Sequence, residues 1–293
     1  MSFYKNEEGY LMCLKDTLNN GEKREGRNGN VISQFGTMIS FDNIDTLFPF
    51  LTTKKVFMRG VIEELFWFLR GSTDVKELQE KNIHIWDGNS SREYLDSIGL
   101  NHYEEGKLGP VYGHQWRCFN GTYPDKNNGI DQIRYVLEEL STNSRRAILS
   151  AWNPSQLKDM ALPPCHLLYN FYKDNNGLSC MMTMRSSDLF LGLPFNIAST
   201  ALLTHIIAKV LHIKPYKINI SSCDAHIYEE HIEAVIIQLN RTPYKLPKIN
   251  IKSIPPKLEE GIDEKIKWIE GLKYDDIEII EYKSHEPIKA IMK

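Results

Sequence analysis

Along this chain the hydrophobic positions switch several times between helical and strand-like periods. Tyr10, Leu11, Leu14 and Leu18 recur at helical spacing and Gly21 follows, so a first helix is expected to end there. After the polar turn Gly26-Arg27-Asn28-Gly29-Asn30, alternation over residues 31–41 fits a strand. Residues 56–69 predict a helix with a wide apolar side made by Val61, Ile62, Leu65, Phe66, Phe68 and Leu69. At 100 degrees per residue Glu63 turns away from that side, whereas Glu64 falls beside Val61 and Phe68. Ile130, Ile133, Val136, Leu137 and Leu140 mark another helix, and residues 147–152, 167–172 and 178–184 read as apolar strands. Ala198, Leu202, Leu203, Ile206, Val210 and Leu211 predict a buried helix with Phe195-Asn196 in its first turn, and residues 224–228 are expected to open one more. Short strand patterns at 249–251 and 277–280 punctuate a charge-rich tail. With no repeat and no long linker, the pattern gives a single α/β domain over residues 1–293.

Composition narrows the class. A net charge of -3 gives no general pull toward nucleic acid or anionic membranes. Cys13, Cys118, Cys165, Cys180 and Cys223 are odd in number, scattered, and lack zinc-site spacing, which suits thiols of a reducing compartment. The first residues lack the basic start and apolar core of a signal peptide, and no apolar run reaches membrane length. An intracellular, cytoplasmic protein is expected.

The candidate chemistry centres on Pro163-Pro164-Cys165-His166. Two prolines fix two φ angles and remove two donors, which sets the thiol on a rigid shoulder at a strand's entrance. A sulfur nucleophile needs a fixed direction, partial access and a polar neighbour that favours the thiolate, because a free thiol with a pKa of about 8.5 is mostly protonated at neutral pH. His166 is a candidate neighbour; a buried core cysteine is the ordinary alternative. Glu64, held against apolar side chains, fits a carboxyl of raised pKa able to pass protons, or a plain helix-edge glutamate. Gly109 and Gly113 flank Pro110-Val111-Tyr112, so Tyr112 faces either a cavity or the core. Arg145-Arg146 suit a dianionic phosphate, and Arg27 on its turn can close over one; solvated arginines are the commoner case. Asn196 offers one acceptor and a donor pair to a ring edge. Trp86 and Asn89 place an aromatic ring and an amide on a turn.

These motifs, together with residues 185–199, 108–116 and 224–228, resemble thymidylate synthase in order and interval over nearly the whole chain. The resemblance implies a single α/β domain with a large mixed sheet flanked by helices, one sheet face packed against a second copy in a homodimer. It implies a methyltransferase of nucleotide biosynthesis that converts deoxyuridine monophosphate to thymidine monophosphate. Methylenetetrahydrofolate would be co-substrate, with no metal, no membrane and no need of nucleic acid. By resemblance Cys165 adds to carbon 6 of uracil, while Glu64, Tyr112 and His166 carry protons and Asn196 grips the ring. His226 and Tyr228 hold the sugar hydroxyl, and Arg27, Arg185 and Ser186 hold the phosphate, with Arg145 and Arg146 reaching across from the partner chain. Trp86, Asn89, Asp188, Leu191, Gly192 and Phe195 line the folate site, Asp188 also serving the chemistry, and Lys54 meets the glutamate tail. The chain departs from the family pattern at Met184, Cys223, Glu230, Lys293 and in the length of the Arg27 turn. A pyrimidine nucleotide hydroxymethylase and a weakly active nucleotide- or RNA-binding homologue are the alternative readings.

Overall fold

The computed structural model describes residues 2–26, 28–142 and 144–291. Along the chain come β1 (Ser2–Lys5), α1 (Asn6–Asn20), β2 (Glu22–Gly26), β3 (Gly29–Asp42), α2 (Met58–Leu69), α3 (Lys76–Gln79), α4 (Asp87–Ser90) and α5 (Arg92–Ser97). There follow α6 (Tyr112–Cys118), α7 (Gln132–Ser141), β4 (Ile148–Ser150), β5 (His166–Asp174), β6 (Gly177–Asp188) and α8 (Gly192–Val210). The chain continues with β7 (Pro215–Tyr228), α9 (Ile232–Leu239), β8 (Lys248–Ile251), α10 (Ile262–Gly271) and β9 (Ile277–Ile280). These elements group into two compact units, one of residues 1–57, 172–252 and 277–293, the other of residues 58–171 and 253–276.

The first unit is built on a large mixed sheet. β3 and β7 pair antiparallel over long stretches, from Val31 opposite Tyr228 to Asp42 opposite Lys217. β6 runs parallel to β7, β1 runs parallel to β3, and β2 lies antiparallel beside β3. α1 packs on β1 and β3 through Tyr10, Cys13, Leu14 and Thr17, a stripe at helical spacing that is fully buried. α8 covers β6 and β7 and is apolar on nearly every side because it is enclosed on nearly every side. It is long and apolar enough to cross a membrane, yet 83% of that span is buried inside the protein. β8 and β9, where the short strand patterns lie, pair antiparallel.

Two expectations are corrected here. Residues 224–228 do not open a helix; they are the end of β7, hydrogen-bonded between β3 and β6. The strand over residues 178–184 does not break at Arg185 but runs on to Asp188, since Ser186 pairs with Asp224 and Asp188 with His226. Polar strand ends of this kind carry no alternation of apolar residues, so the period alone does not mark them.

In the second unit α2 is the central helix, packed against α6, with α7 against α6 and β4 antiparallel to β5. Leu65, Phe66, Trp67, Phe68 and Leu69 are all buried, so α2 has no solvent side over its last turn. That enclosure takes in Glu63 as well, which is buried and accepts from Lys81 Nζ at 2.6 Å. Arg117 on α6 donates to both oxygens of Asp131 at 3.0 and 2.9 Å, to the carbonyl of Leu69, and pairs with Glu270 of α10. A largely buried guanidinium so fully satisfied ties three helices together.

Candidate active site

Cys165 stands one residue before β5, directly after the two prolines, and is partly accessible. Cys13, Cys118 and Cys180 are sealed in the core, and burial pushes the Cys13 thiol up to about 12. Cys165 is therefore set apart from these core thiols. Tyr112, the first residue of α6, is buried, and its hydroxyl accepts the Cys165 backbone N–H at 2.7 Å. Burial raises the Tyr112 phenol well above its ordinary pKa, so it stays protonated and can also donate.

The Tyr112 ring stacks on His166 with centroids 4.0 Å apart and planes 16° from parallel. His166 Nδ1 pairs with the Tyr169 hydroxyl at 3.0 Å, and burial pushes the imidazole down to about 3. His166 is thus a neutral ring at ordinary pH. It offers Cys165 no positive charge, and any help it gives must come through hydrogen bonding.

Glu64 lies on the half-buried edge of α2, and its Oε1 accepts the Trp86 indole N–H at 2.7 Å. Desolvation among dense neighbours pushes the carboxyl up to about 7, against the lowering effect of that hydrogen bond. Such a group exchanges protons near neutrality. Trp86 is itself buried and meets Tyr112 edge to face at 6.1 Å, so one ring cluster positions Glu64, Tyr112 and His166. Asn89, half-buried, donates its backbone N–H to the carbonyl of Trp86 at 3.1 Å. Arg145 and Arg146 are exposed, and Arg146 Nε lies 3.4 Å from Glu139 Oε2, a surface pair too weak to hold it from another anion.

The first unit carries the remaining candidates on the ends of β6 and β7. Ser186 opposes Asp224 and Asp188 opposes His226, so by strand alternation Ser186, Asp188, Asp224, His226 and Tyr228 share one face. Arg185, immediately before Ser186, is half-buried. Asp188 Oδ1 accepts the N–H groups of Phe190 and Leu191 at 2.9 and 3.2 Å, which fixes the turn into α8. Half-buried Phe195 and Asn196 sit in the first turn of α8, and the Asn196 carbonyl accepts from Thr200 Oγ1 at 2.7 Å. At Gly192 a Cβ would lie 3.7 Å from Asp188 Cβ and 3.9 Å from Asn196 Oδ1, so the first turn of α8 sits directly against both side chains.

Lys54 faces inward. It is buried, donates from Nζ to the carbonyl of Phe190 and lies 3.6 Å above the Phe190 ring. Burial pushes it down to about 7, with Asp188 opposing the shift. Sequence reading also missed Glu7, whose buried carboxylate accepts from the N–H groups of Thr52 and Thr53, both at 2.7 Å, and from Thr52 Oγ1 at 2.8 Å. Those bonds fix the segment that delivers Lys54. A glutamate at the start of a helix gives no signal of burial.

Among the positions that depart from the family pattern, Met184 is buried in β6, Cys223 is exposed on β7, and Glu230 is exposed in the turn after it. Arg27 and Lys293 lie outside the described residues. Among the described residues no group of three His, Cys, Asp or Glu side chains could hold a metal.

A family model described as thymidylate synthase matches residues 8–293. The chain belongs to the thymidylate synthase family. It is 45% identical to the thymidylate synthase of Homo sapiens over 97% of this chain and 89% of that protein. It is also 45% identical to bifunctional dihydrofolate reductase-thymidylate synthases of Zea mays and Paramecium tetraurelia, over 100% and 98% of this chain. The chain spans 56% and 61% of the length of those two relatives. The mixed sheet flanked by helices is the architecture that the family resemblance implies.

Proposed function

We propose that this chain is a thymidylate synthase, a methyltransferase that makes thymidine monophosphate from deoxyuridine monophosphate with methylenetetrahydrofolate as co-substrate. The observation that carries the reading is Cys165, a partly accessible thiol whose backbone is held by Tyr112 at 2.7 Å within the ring cluster that also holds Glu64. Carbon 5 of uracil is a poor nucleophile, so a sulfur nucleophile at carbon 6 is needed to turn the ring into an enolate. Cys165 would supply it. Folate, when bound, supplies the one-carbon unit and the hydride and leaves as dihydrofolate. Glu64, near half-protonation at neutral pH, would pass protons to and from the ring through water, with Tyr112 and neutral His166 as hydrogen-bonding partners.

Asn196 would answer the uracil N–H and its neighbouring carbonyl, and His226 and Tyr228 the sugar hydroxyl. Arg27, Arg185 and Ser186 would hold the phosphate, joined by Arg145 and Arg146 of a second copy in a homodimer. Trp86, Asn89, Asp188, Leu191, Gly192 and Phe195 would line the folate site, and Lys54 would meet its glutamate tail. The chain would act as one catalytic module in a reducing compartment such as the cytoplasm.

The test is incubation with deoxyuridine monophosphate and methylenetetrahydrofolate while following dihydrofolate absorbance and the mass of the nucleotide product. A methylated nucleotide with equimolar dihydrofolate supports the reading. A hydroxymethylated nucleotide without dihydrofolate would make the chain a hydroxymethylase, and binding without turnover would make it a nucleotide-binding homologue.

A further inference from the structure

Asp224 and His226 are two residues apart on β7 and therefore project from the same face. Asp224 Oδ1 lies 3.5 Å from His226 Nδ1, and this oxygen is buried with no hydrogen-bond partner among the described residues. A buried carboxylate oxygen left unpaired is costly, and a rotation moving it by about 0.5 Å would close the gap to an ordinary hydrogen bond. The other oxygen is tethered from the sheet's edge strand: Arg24 Nη1 of β2 lies 3.4 Å from Asp224 Oδ2 and 3.3 Å from Ser33 Oγ, and Ser33 is the β3 residue opposite His226. The imidazole has little freedom of its own, being buried and packed edge to face on Tyr228 at 5.2 Å and 88°.

We propose that Asp224 is a positioning residue that keeps the proton of His226 on Nδ1, so that Nε2 is presented as an acceptor to the sugar hydroxyl of the bound nucleotide. The assignment rests on the reading that His226 meets that hydroxyl. An ionised carboxylate can only accept, so it selects the tautomer with N–H facing it. Ionisation is secured here: the contact with His226, against partial burial and with Arg24 adding to it, holds the Asp224 carboxyl below its usual range. Asp224→Asn gives the contrary arrangement by the same inventory. Arg24 has only donors and would claim the single amide oxygen, turning the amide N–H toward Nδ1 and driving the imidazole proton to Nε2.

Two measurements on the full chain separate the parts. Ring nitrogen-15 shifts of His226 in the ligand-free protein should report the Nδ1–H tautomer in the wild type and the Nε2–H tautomer in Asp224→Asn. Calorimetric titration should then show the wild type favouring deoxyuridine monophosphate over its 3′-deoxy analogue by roughly tenfold to a hundredfold, with Asp224→Asn reducing that preference to roughly threefold or less. An unchanged tautomer together with an unchanged preference in Asp224→Asn would overturn the proposal. If His226→Ala keeps the wild-type preference, the sugar contact of His226 is wrong, while the nitrogen shifts still decide whether Asp224 sets the tautomer. Should Asp224→Asn fail to fold, Arg24→Gln, altered at an exposed side chain, frees the carboxylate and should give a mixture of tautomers; a pure Nδ1–H signal there with undiminished preference counts against the tether.

Discussion

The hydroxyl of Tyr112 accepts the backbone N–H of Cys165 at 2.7 Å, so the residue that heads α6 sets the backbone that carries the thiol. Removing that acceptor takes a short hydrogen bond away from the Cys165 backbone. Tyr112→Phe is expected to lower unfolding stability by about 1 kcal/mol and kcat by roughly tenfold to a hundredfold, with a smaller effect on nucleotide affinity. Urea unfolding and steady-state kinetics check the two figures. A fully active, fully stable variant would mean that the hydroxyl does not position Cys165.

Glu64 gives a pH signature of definite sign. Its carboxyl is raised to about 7, so below that pH the folded protein keeps a proton that the unfolded chain releases from about 4.5 upward. The wild type therefore loses stability from this group as pH rises through that window. Glu64→Gln lacks the loss and should gain about 1–3 kcal/mol relative to the wild type between pH 5 and pH 8. Trp86→Phe removes the hydrogen bond that lowers the Glu64 pKa, so the inflection near 7 in the pH–rate profile should move upward. A downward move would contradict this account of Glu64.

Base choice follows from hydrogen-bond inventory at Asn196. Uracil presents an N–H beside a carbonyl, which one amide answers; cytosine presents the reverse pair, and aspartate suits its amino group better. The wild type should prefer deoxyuridine over deoxycytidine monophosphate by roughly tenfold to a hundredfold in kcat/KM, and Asn196→Asp should narrow or reverse that ratio. Equal selectivity in the two proteins would show that Asn196 does not read the base.

What the sequence disclosed follows physical lines. α1, β3, α2 and α8 were legible because each buries a periodic set of apolar residues against a neighbour. The polar ends of β6 and β7 were not, because Ser186, Asp188, Asp224 and His226 are held by pairing with adjacent strands rather than by hydrophobic alternation. β2, with every residue exposed, has no pattern to read. At the site, the two prolines drew attention to Cys165, which is partly accessible, and the apolar flank drew attention to Glu64, which is half-buried. The neutrality of His166, the inward turn of Lys54 and the clamp at Glu7 depend on burial by residues distant in sequence, and no local spacing encodes them.

Arg145 and Arg146 are exposed, which suits arginines that serve a second copy of the chain. Mixing an Arg146→Ala protein with a Cys165→Ser protein, each inactive or nearly so, should restore activity, because a mixed dimer can hold one site with both residues intact. A monomer fully active at assay dilution would rule out shared sites.

The central claim is that Cys165 is the nucleophile, and substitution by serine tests it most directly, since the change removes the sulfur but little volume. Cys165→Ser assayed for dihydrofolate formation, with deoxyuridine monophosphate affinity measured in parallel, is expected to lose turnover by at least roughly a thousandfold while binding the nucleotide within about threefold of the wild type. Turnover near the wild-type rate in that variant would contradict the account.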